Sequence, residues 1–191
     1  MIGGTGNISW PVAKTLADDA EVELYLINLD GKNDQLPADV HRLTANIGTQ
    51  ADYVKEKIKD MVFDSVINFV IMTEDDAKNS VDIFKGHTKQ FIFISTVDVL
   101  DHRFQCLVDE EMARGNQYYS YGQNKEKAEL YFMEEAEKGF PITIVRPTQT
   151  YSKNRIPLSV KGKSCWSVVS RMIRGKEVIV HGDGQGIWAC T

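Results

Sequence analysis

Tyr121 and Lys125 stand four residues apart in the segment Tyr-Gly-Gln-Asn-Lys. On a helix, positions i and i+4 share a face, so the ammonium of Lys125 would lie beside the phenol of Tyr121. A cation there favours phenolate and lowers a pKa that is ordinarily about 10. Tyr121 would then be a general acid/base, able to exchange a proton with a substrate hydroxyl or carbonyl. Thr96 follows the apolar run Phe91 to Ser95. Its hydroxyl would sit at the C-terminal end of a strand, where open α/β sheets bind ligands, and could hydrogen-bond the same substrate oxygen.

A second group of residues has the chemistry of a phosphate cradle. Gly3-Gly4-Thr5-Gly6-Asn7-Ile8-Ser9 sets Gly3 and Gly6 three apart, with Ser9 where a third glycine often stands. Gly3 would permit a tight turn and Gly6 a close approach of backbone to pyrophosphate. A helix beginning near Asn7 would aim its N–H groups and positive dipole end at the phosphates. Pro11 falls in the first turn, where its missing N–H costs little. Some 20–25 residues past the glycines, Asn28 and Asp30 stand where a dinucleotide fold reads the adenosine ribose. An acid there favours NAD by repelling a 2′-phosphate, while the adjacent Lys32 keeps NADP open.

These groups need a scaffold, and the periodicity supplies one. Apolar, β-branched runs fall at Val22 to Asn28, His41 to Ala45, Ser65 to Ile71, Gln90 to Ser95, Ile142 to Arg146 and Glu177 to Val180. Helical spacing fills Ile8 to Asp19, Ala51 to Met61, Glu74 to Phe84, Ser120 to Gly139 and Trp166 to Gly175. Strands that are hydrophobic throughout suit burial on both faces, hence a parallel sheet. Alternation of β and α implies an α/β, Rossmann-like, doubly wound parallel sheet with helices on both faces. Thr73 before three acids reads as a helix N-cap, and Gly139 with Pro141 as a helix stop.

Composition narrows the function classes. The 191 residues carry 22 basic and 27 acidic side chains, a net charge of −5. Without a basic block, neither nucleic acid nor an anionic membrane is an expected partner. Cys106, Cys165 and Cys190 are odd in number and lack Cys-x-x-Cys spacing, which argues against a disulfide framework and for a reducing, cytoplasmic setting. No run is apolar enough for a membrane span. His41, His87, His102 and His181 lack ligand spacing, so no metal is expected.

The order of these parts resembles the extended short-chain dehydrogenase/reductase superfamily. Within it, the chain resembles the NAD-dependent epimerase/dehydratase family that acts on nucleotide sugars, of the UDP-glucose 4-epimerase kind. The resemblance runs from GGTGNIS through ISTVDV, YSYGQNK and IVRPTQTY to VHGDGQGIW. It implies a phosphate loop at Gly3, Thr5, Gly6, Asn7 and Ile8, and a ribose contact at Asn28 or Asp30. It further implies an adenine contact at Asn46-Ile47 and a cofactor border at Phe69-Val70. Thr96, Tyr121 and Lys125 would be catalytic, and the segment Pro147 to Gln149 would line the nicotinamide. Asp98 matches an extra acid of dehydratase members. The implied cofactor is NAD, and the implied substrate a nucleotide sugar. Pairing of two copies through the helix Ser120 to Gly139 is a further implication.

Three departures stand out: Ser9 for a third glycine, Leu100 where a tyrosine is usual, and only Met1 and Ile2 before Gly3. Two residues are too few for a full central strand, so that strand is expected to be incomplete. The implied organisation is a dinucleotide-binding domain over residues 1–151 and the start of a substrate lobe over 152–191. In that lobe Trp166, Trp188 and Arg155 could meet a base, and Lys153, Arg155, Lys161 and Lys163 a diphosphate; lobe packing and a solvated basic loop account for them equally. Two alternatives remain open at this point. One is a non-catalytic dinucleotide-binding protein, redox-sensing or RNA-associated; the other is an inactive fragment of such an enzyme.

Overall fold

A computed structural model describes residues 1–29, 35–101, 103, 108–152, 166–180 and 183. Five strands occur among them: β1 (Tyr25–Asn28), β2 (His41–Thr44), β3 (Val66–Asn68), β4 (Phe91–Ile94) and β5 (Ile142–Val145). The helices are α1 (Ser9–Ala17), α2 (Ala51–Ile58), α3 (Glu74–Phe84), α4 (Ser120–Glu137) and α5 (Ser167–Ile173). Every ladder is parallel: β1 pairs with β2, and β4 lies between β3 and β5. This is the α/β arrangement that the alternating periodicities imply, each parallel step requiring a crossover.

The first strand is incomplete, as expected: β1 with β2, and β3 with β4 and β5, form separate ladders, joined among the described residues through the bridges of Ile2. Ile2 bridges Ile27 on one side and Asn68 on the other, both in parallel. Its N–H donates to Ile67 O at 2.8 Å, and its carbonyl accepts from Phe69 N at 3.1 Å. On the β1 side, Gly3 N donates to Ile27 O at 2.9 Å and Ile27 N to Met1 O at 2.9 Å. The order is therefore β2, β1, the Met1–Gly3 segment, β3, β4, β5. Successive residues of a strand turn their backbone groups to opposite neighbours, so even a two-residue run can bond both flanking strands at its upper end.

The sixth expected strand, Glu177 to Val180, is corrected: it takes no strand conformation and has no ladder partner among the described residues. Ile179 is 76% exposed and Val180 56%. Strand propensity expresses packing on a half-buried pleated surface, and these residues have no such surface.

Packing follows the sequence pattern. Phe91 and Phe93 of β4 are fully buried, with Phe84, Phe132 and Phe140 around Phe91 at ring separations of 5.4 to 5.8 Å. Each such ring buries on the order of 150–250 Å2, which fixes α3 and α4 against the β3–β5 half. On the opposite face, Ala13 of α1 packs with Leu24, Leu26 and Val40. The Thr73 hydroxyl accepts from Asp76 N at 3.3 Å, and the Asp76 carboxylate accepts from Thr73 N at 2.9 Å. That capping box starts α3 where the acids meet the positive helix end. Gly139 ends α4 with φ +90°, a left-handed value that favours glycine.

The chain divides into two compact units, Met1–Arg146 and Pro147–Thr191. Described residues of the second unit include α5, in which Val168 is buried, and the buried Thr150. No helix among the described residues is long and apolar enough to cross a membrane.

Candidate active site

The glycine loop lies at the upper end of the Met1–Gly3 segment and leads into α1. Gly3 takes φ +75°, and a Cβ there would also collide with Val70 Cγ1. A Cβ on Gly4 would lie 2.7 Å from Leu26 Cδ2, so this second glycine, to which the sequence reading gave no role, is required by packing. Ser9 does more than tolerate the place of a third glycine. Its hydroxyl donates to Gly3 O at 2.5 Å and accepts from Gly6 N at 2.8 Å, stapling the turn across its base. Thr5, Gly6 and Asn7 are exposed, and Ile8 is the half-buried N-cap of α1.

Asn28 closes the loop from β1. Its Oδ1 accepts from Gly4 N at 2.9 Å, which leaves its NH2 rather than its carbonyl for a ligand. Asp30 and Lys32 lie outside the described residues, as do Trp188, Arg155, Lys153, Lys161 and Lys163. Asn46 Oδ1 accepts from Gly48 N at 2.9 Å, and Ile47 O accepts from Asn79 Nδ2 at 2.6 Å, tying the β2–α2 connection to α3. Phe69 and Val70 follow β3 beside Gly3. Asn68, not among the residues expected from the sequence, is fully buried: its Oδ1 accepts from Val70 N at 2.9 Å and its Nδ2 donates to Ser80 Oγ at 3.2 Å. A lone asparagine ending an apolar run was the available signal.

The proposed proton-transfer groups gather at the C-terminal ends of β3 and β4. Lys125 is 1% exposed, an unusual place for a lysine. Its Nζ donates to Ile71 O at 2.5 Å and to Ile94 O at 2.9 Å. It lies 4.9 Å from the Phe93 ring centre and 5.6 Å from that of Tyr121. Two carbonyls and two ring faces thus hold the cation, leaving one of three ammonium donors beyond these bonds. Burial lowers its pKa to about 8, opposed in part by the charges of Asp76 and Glu129. The i,i+4 face sharing of Tyr121 and Lys125 is present on α4.

Thr96 is buried and caps the 3-10 turn Val97–Val99, its hydroxyl oxygen accepting from Asp98 N at 3.2 Å. The O–H hydrogen remains available for donation. Ser95 Oγ is buried with no hydrogen-bond partner among the described residues, an orphan that the sequence reading passed over. Asp98 is half-buried, and its carbonyl accepts from Asn116 Nδ2 at 2.9 Å. Against that carbonyl rests Gly122, where a Cβ would lie 2.8 Å from Asp98 C and collide with Asp98 O. A bare backbone at 122 therefore lets the first turn of α4 dock on the turn that carries Thr96.

Further along α4, Glu129 anchors the helix. It is fully buried and accepts from Arg146 Nε at 2.9 Å, Arg146 Nη2 at 2.7 Å and Arg114 Nε at 3.1 Å. The carboxylate raises the Arg146 guanidinium further above its ordinary value. Pro147 opens the second unit. No group of three or more His, Cys, Asp or Glu that could hold a metal occurs among the described residues.

The chain matches no protein-family model and no curated protein. Solved structures do match its fold. UDP-glucose 4-epimerase from Thermotoga maritima, solved with UDP-glucose, superposes with a TM-score of 0.76 at 18% identity over 99% of this chain and 67% of that one. dTDP-glucose 4,6-dehydratase from Bacillus anthracis, in complex with NAD, gives 0.75 at 15% identity over 99% and 65%. UDP-glucuronic acid 4-epimerase from Bacillus cereus, in complex with UDP-glucuronic acid and NAD, gives 0.73 at 16% identity over 100% and 67%. The chain thus spans about two thirds of the length of each. It has the Rossmann-like fold that these nucleotide-sugar epimerases and dehydratases share.

Proposed function

We propose that this chain carries NAD-dependent epimerase/dehydratase-type oxidoreductase chemistry on a nucleotide sugar. One observation carries the reading: a buried Lys125, clamped by Ile71 O and Ile94 O, lies under the Tyr121 ring at the strand ends. Burying an ammonium is costly, and a purely structural role is served more cheaply by an apolar side chain.

The residues present fit a dinucleotide. The left-handed turn at Gly3, the exposed Thr5, Gly6 and Asn7 at the start of α1, and the orphaned Ser95 hydroxyl are the features of this structure that support the fit. Gly3, Thr5, Gly6, Asn7 and Ile8 would hold the pyrophosphate, and Asn28 with Asp30 the ribose. Asn46 and Ile47 would meet the adenine, and Phe69 and Val70 would border the rest. When bound, NAD supplies a hydride acceptor and donor. Tyr121 as phenolate takes the proton of a sugar hydroxyl and later returns it. Lys125 keeps the phenolate ionised through its charge, and Thr96 donates a hydrogen bond to the reacting oxygen. Asp98 stands as a candidate second acid. Pairing of two copies through α4 accords with the exposed Leu130 and Met133 on that helix.

The test is titration with NAD and NADP by tryptophan fluorescence, with UDP- and dTDP-sugars assayed for turnover. NAD binding and turnover that Tyr121→Phe abolishes, with the fold retained, are expected. Turnover unchanged in Tyr121→Phe overturns the assigned chemistry. NAD binding without turnover in the unmodified chain favours a non-catalytic dinucleotide-binding protein.

A further inference from the structure

The peptide group between Ile71 and Met72 meets opposite charges at its two ends. Its carbonyl, Ile71 O, accepts from the Lys125 ammonium at 2.5 Å. Its N–H, on Met72, donates to Asp76 Oδ2 at 2.9 Å. The same carboxylate oxygen accepts from Thr73 N at 2.9 Å and from the Thr73 hydroxyl at 3.0 Å. A cation on the carbonyl and an anion on the N–H polarise one amide in the same sense, so each bond strengthens the other. A half-buried carboxylate and a buried ammonium are thus joined through an amide and not by direct contact.

The rest of this connection between β3 and α3 is held as well. Val70 N donates to Asn68 Oδ1 at 2.9 Å, and Asn68 Nδ2 to Ser80 Oγ at 3.2 Å. Ser80 Oγ in turn donates to Asp76 O at 2.7 Å. Asp76 therefore grips the turn after Ile71 with its carboxylate while its own carbonyl is tied back to the end of β3.

Other charges around Lys125 have partners of their own. On α4, Glu129 is bound by Arg146 and Arg114, and Tyr121 presents its ring. On α3, Glu74 lies 2.7 Å from Lys78 and Asp75 lies 3.7 Å from it. The 3-10 turn brings Asp98, whose backbone lies against Gly122 of α4. Strands β3, β4 and β5 carry no charged side chain. Asp76 has no ion pair among the described residues, and its charge, with that of Glu129, favours the ammonium against its burial.

We propose that Asp76 is the counter-ion of Lys125, acting through the Ile71–Met72 peptide, and a positioning residue for proton transfer at Tyr121. The counter-ion role stands on this geometry; the positioning role rests also on the function proposed for Tyr121 and Lys125. The capping box by itself is served equally by a neutral side chain at the third helical position. Removing the negative end makes the buried ammonium lose its proton at lower pH, and a neutral Lys125 no longer favours the Tyr121 phenolate.

The test reads Lys125 directly, in the full chain without cofactor. Its 13Cε signal, labelled through lysine and assigned by its absence from Lys125→Met, is titrated by NMR. Asp76→Asn keeps an oxygen acceptor for both N–H groups and removes the charge. The two charges lie at most roughly 8 Å apart along this path. Coulomb's law at a dielectric between surface and bulk-water values then lowers the Lys125 midpoint by about 0.5–1 pH unit. Asp76→Glu restores the charge and should return the midpoint to that of the unmodified chain. Asp75→Asn, whose side chain is 94% exposed in the same turn, should leave it in place. A midpoint unmoved in Asp76→Asn, or moved as far in Asp75→Asn, overturns the proposal. Asp76→Ser, another neutral acceptor, serves if Asp76→Asn does not fold. The positioning role is read in the pH profile of kcat with NAD and a UDP- or dTDP-sugar. Its alkaline limb should move down by the same interval in Asp76→Asn and return in Asp76→Glu. A moved midpoint with an unmoved limb overturns that role. If the unmodified chain turns over no sugar, the proposed function fails and the positioning role with it, while the Lys125 midpoint still decides the counter-ion.

Discussion

Gly122→Ala adds one methyl group at the contact that seats the first turn of α4 on the turn carrying Thr96. The new Cβ would lie 2.8 Å from Asp98 C, where ordinary contact begins at 3.4 Å, and would collide with Asp98 O. The obstacle is backbone, itself held by Asn116 Nδ2 at 2.9 Å, so no side chain can swing aside. The first turn of α4 must therefore back away from the Thr96 turn by roughly 1 Å, a displacement that can cost about 100-fold in rate. Overpacking of this kind costs about 1–3 kcal/mol, while replacing glycine by alanine in a helix returns up to about 1 kcal/mol. The net expectation is a loss of about 1–2 kcal/mol, or roughly 2–8 °C in melting temperature for a chain of this size. Thermal melts followed by near-UV circular dichroism, which reports Tyr119 and Tyr121, read the packing change. Initial-rate assays with NAD and the sugar that turns over read the misplacement as a fall in kcat. A variant that melts at or above the unmodified chain with full kcat refutes the close-approach argument; Gly122→Ser should match Gly122→Ala, since the added Cβ is common to both.

The remaining predictions concern charge and the glycine loop. Lys125 has its pKa lowered to about 8 in the folded chain from 10.5, so the unfolded chain binds more protons between those values. The cost of burying the ammonium is full below about pH 8 and fades as pH rises toward 10.5, which makes wild-type stability climb by on the order of 3 kcal/mol over that window relative to Lys125→Met. Urea melts at pH 7 and pH 10 check it, and parallel pH dependence in the two chains refutes it. Glu129→Gln leaves Arg146 and Arg114 without their buried carboxylate and should cost about 3 kcal/mol, seen as a lower urea midpoint at unchanged slope. Ser9→Gly restores a third glycine yet removes both bonds of the staple; NAD affinity falls and stability drops by about 1 kcal/mol, measured by fluorescence titration and melting. An affinity equal to or above that of the serine form would show the staple to be dispensable.

Periodicity and punctuation determined most of the scaffold. Apolar runs fixed five strands, the helical stretches all five helices, and Thr73 and Gly139 the ends of α3 and α4, because those signals act between residues close in the chain. The Tyr121–Lys125 pairing was legible for the same reason, four residues on one helix being a local relation. What the sequence could not decide were relations across the fold. Whether Glu177 to Val180 forms a strand depends on a neighbouring edge, and none of the described residues offers one. Whether Met1 and Ile2 join the two ladders depends on Ile27 and Ile67 meeting them from both sides. The sequence shows Ser9 only as a small residue in place of a third glycine; its hydroxyl joining Gly3 to Gly6, and the contact of Gly122 with Asp98, exist only in the folded chain. Local spacing chose the candidate pair Tyr121 and Lys125; the burial of Lys125 between Ile71 and Ile94, residues 54 and 31 positions away, was set by tertiary packing alone.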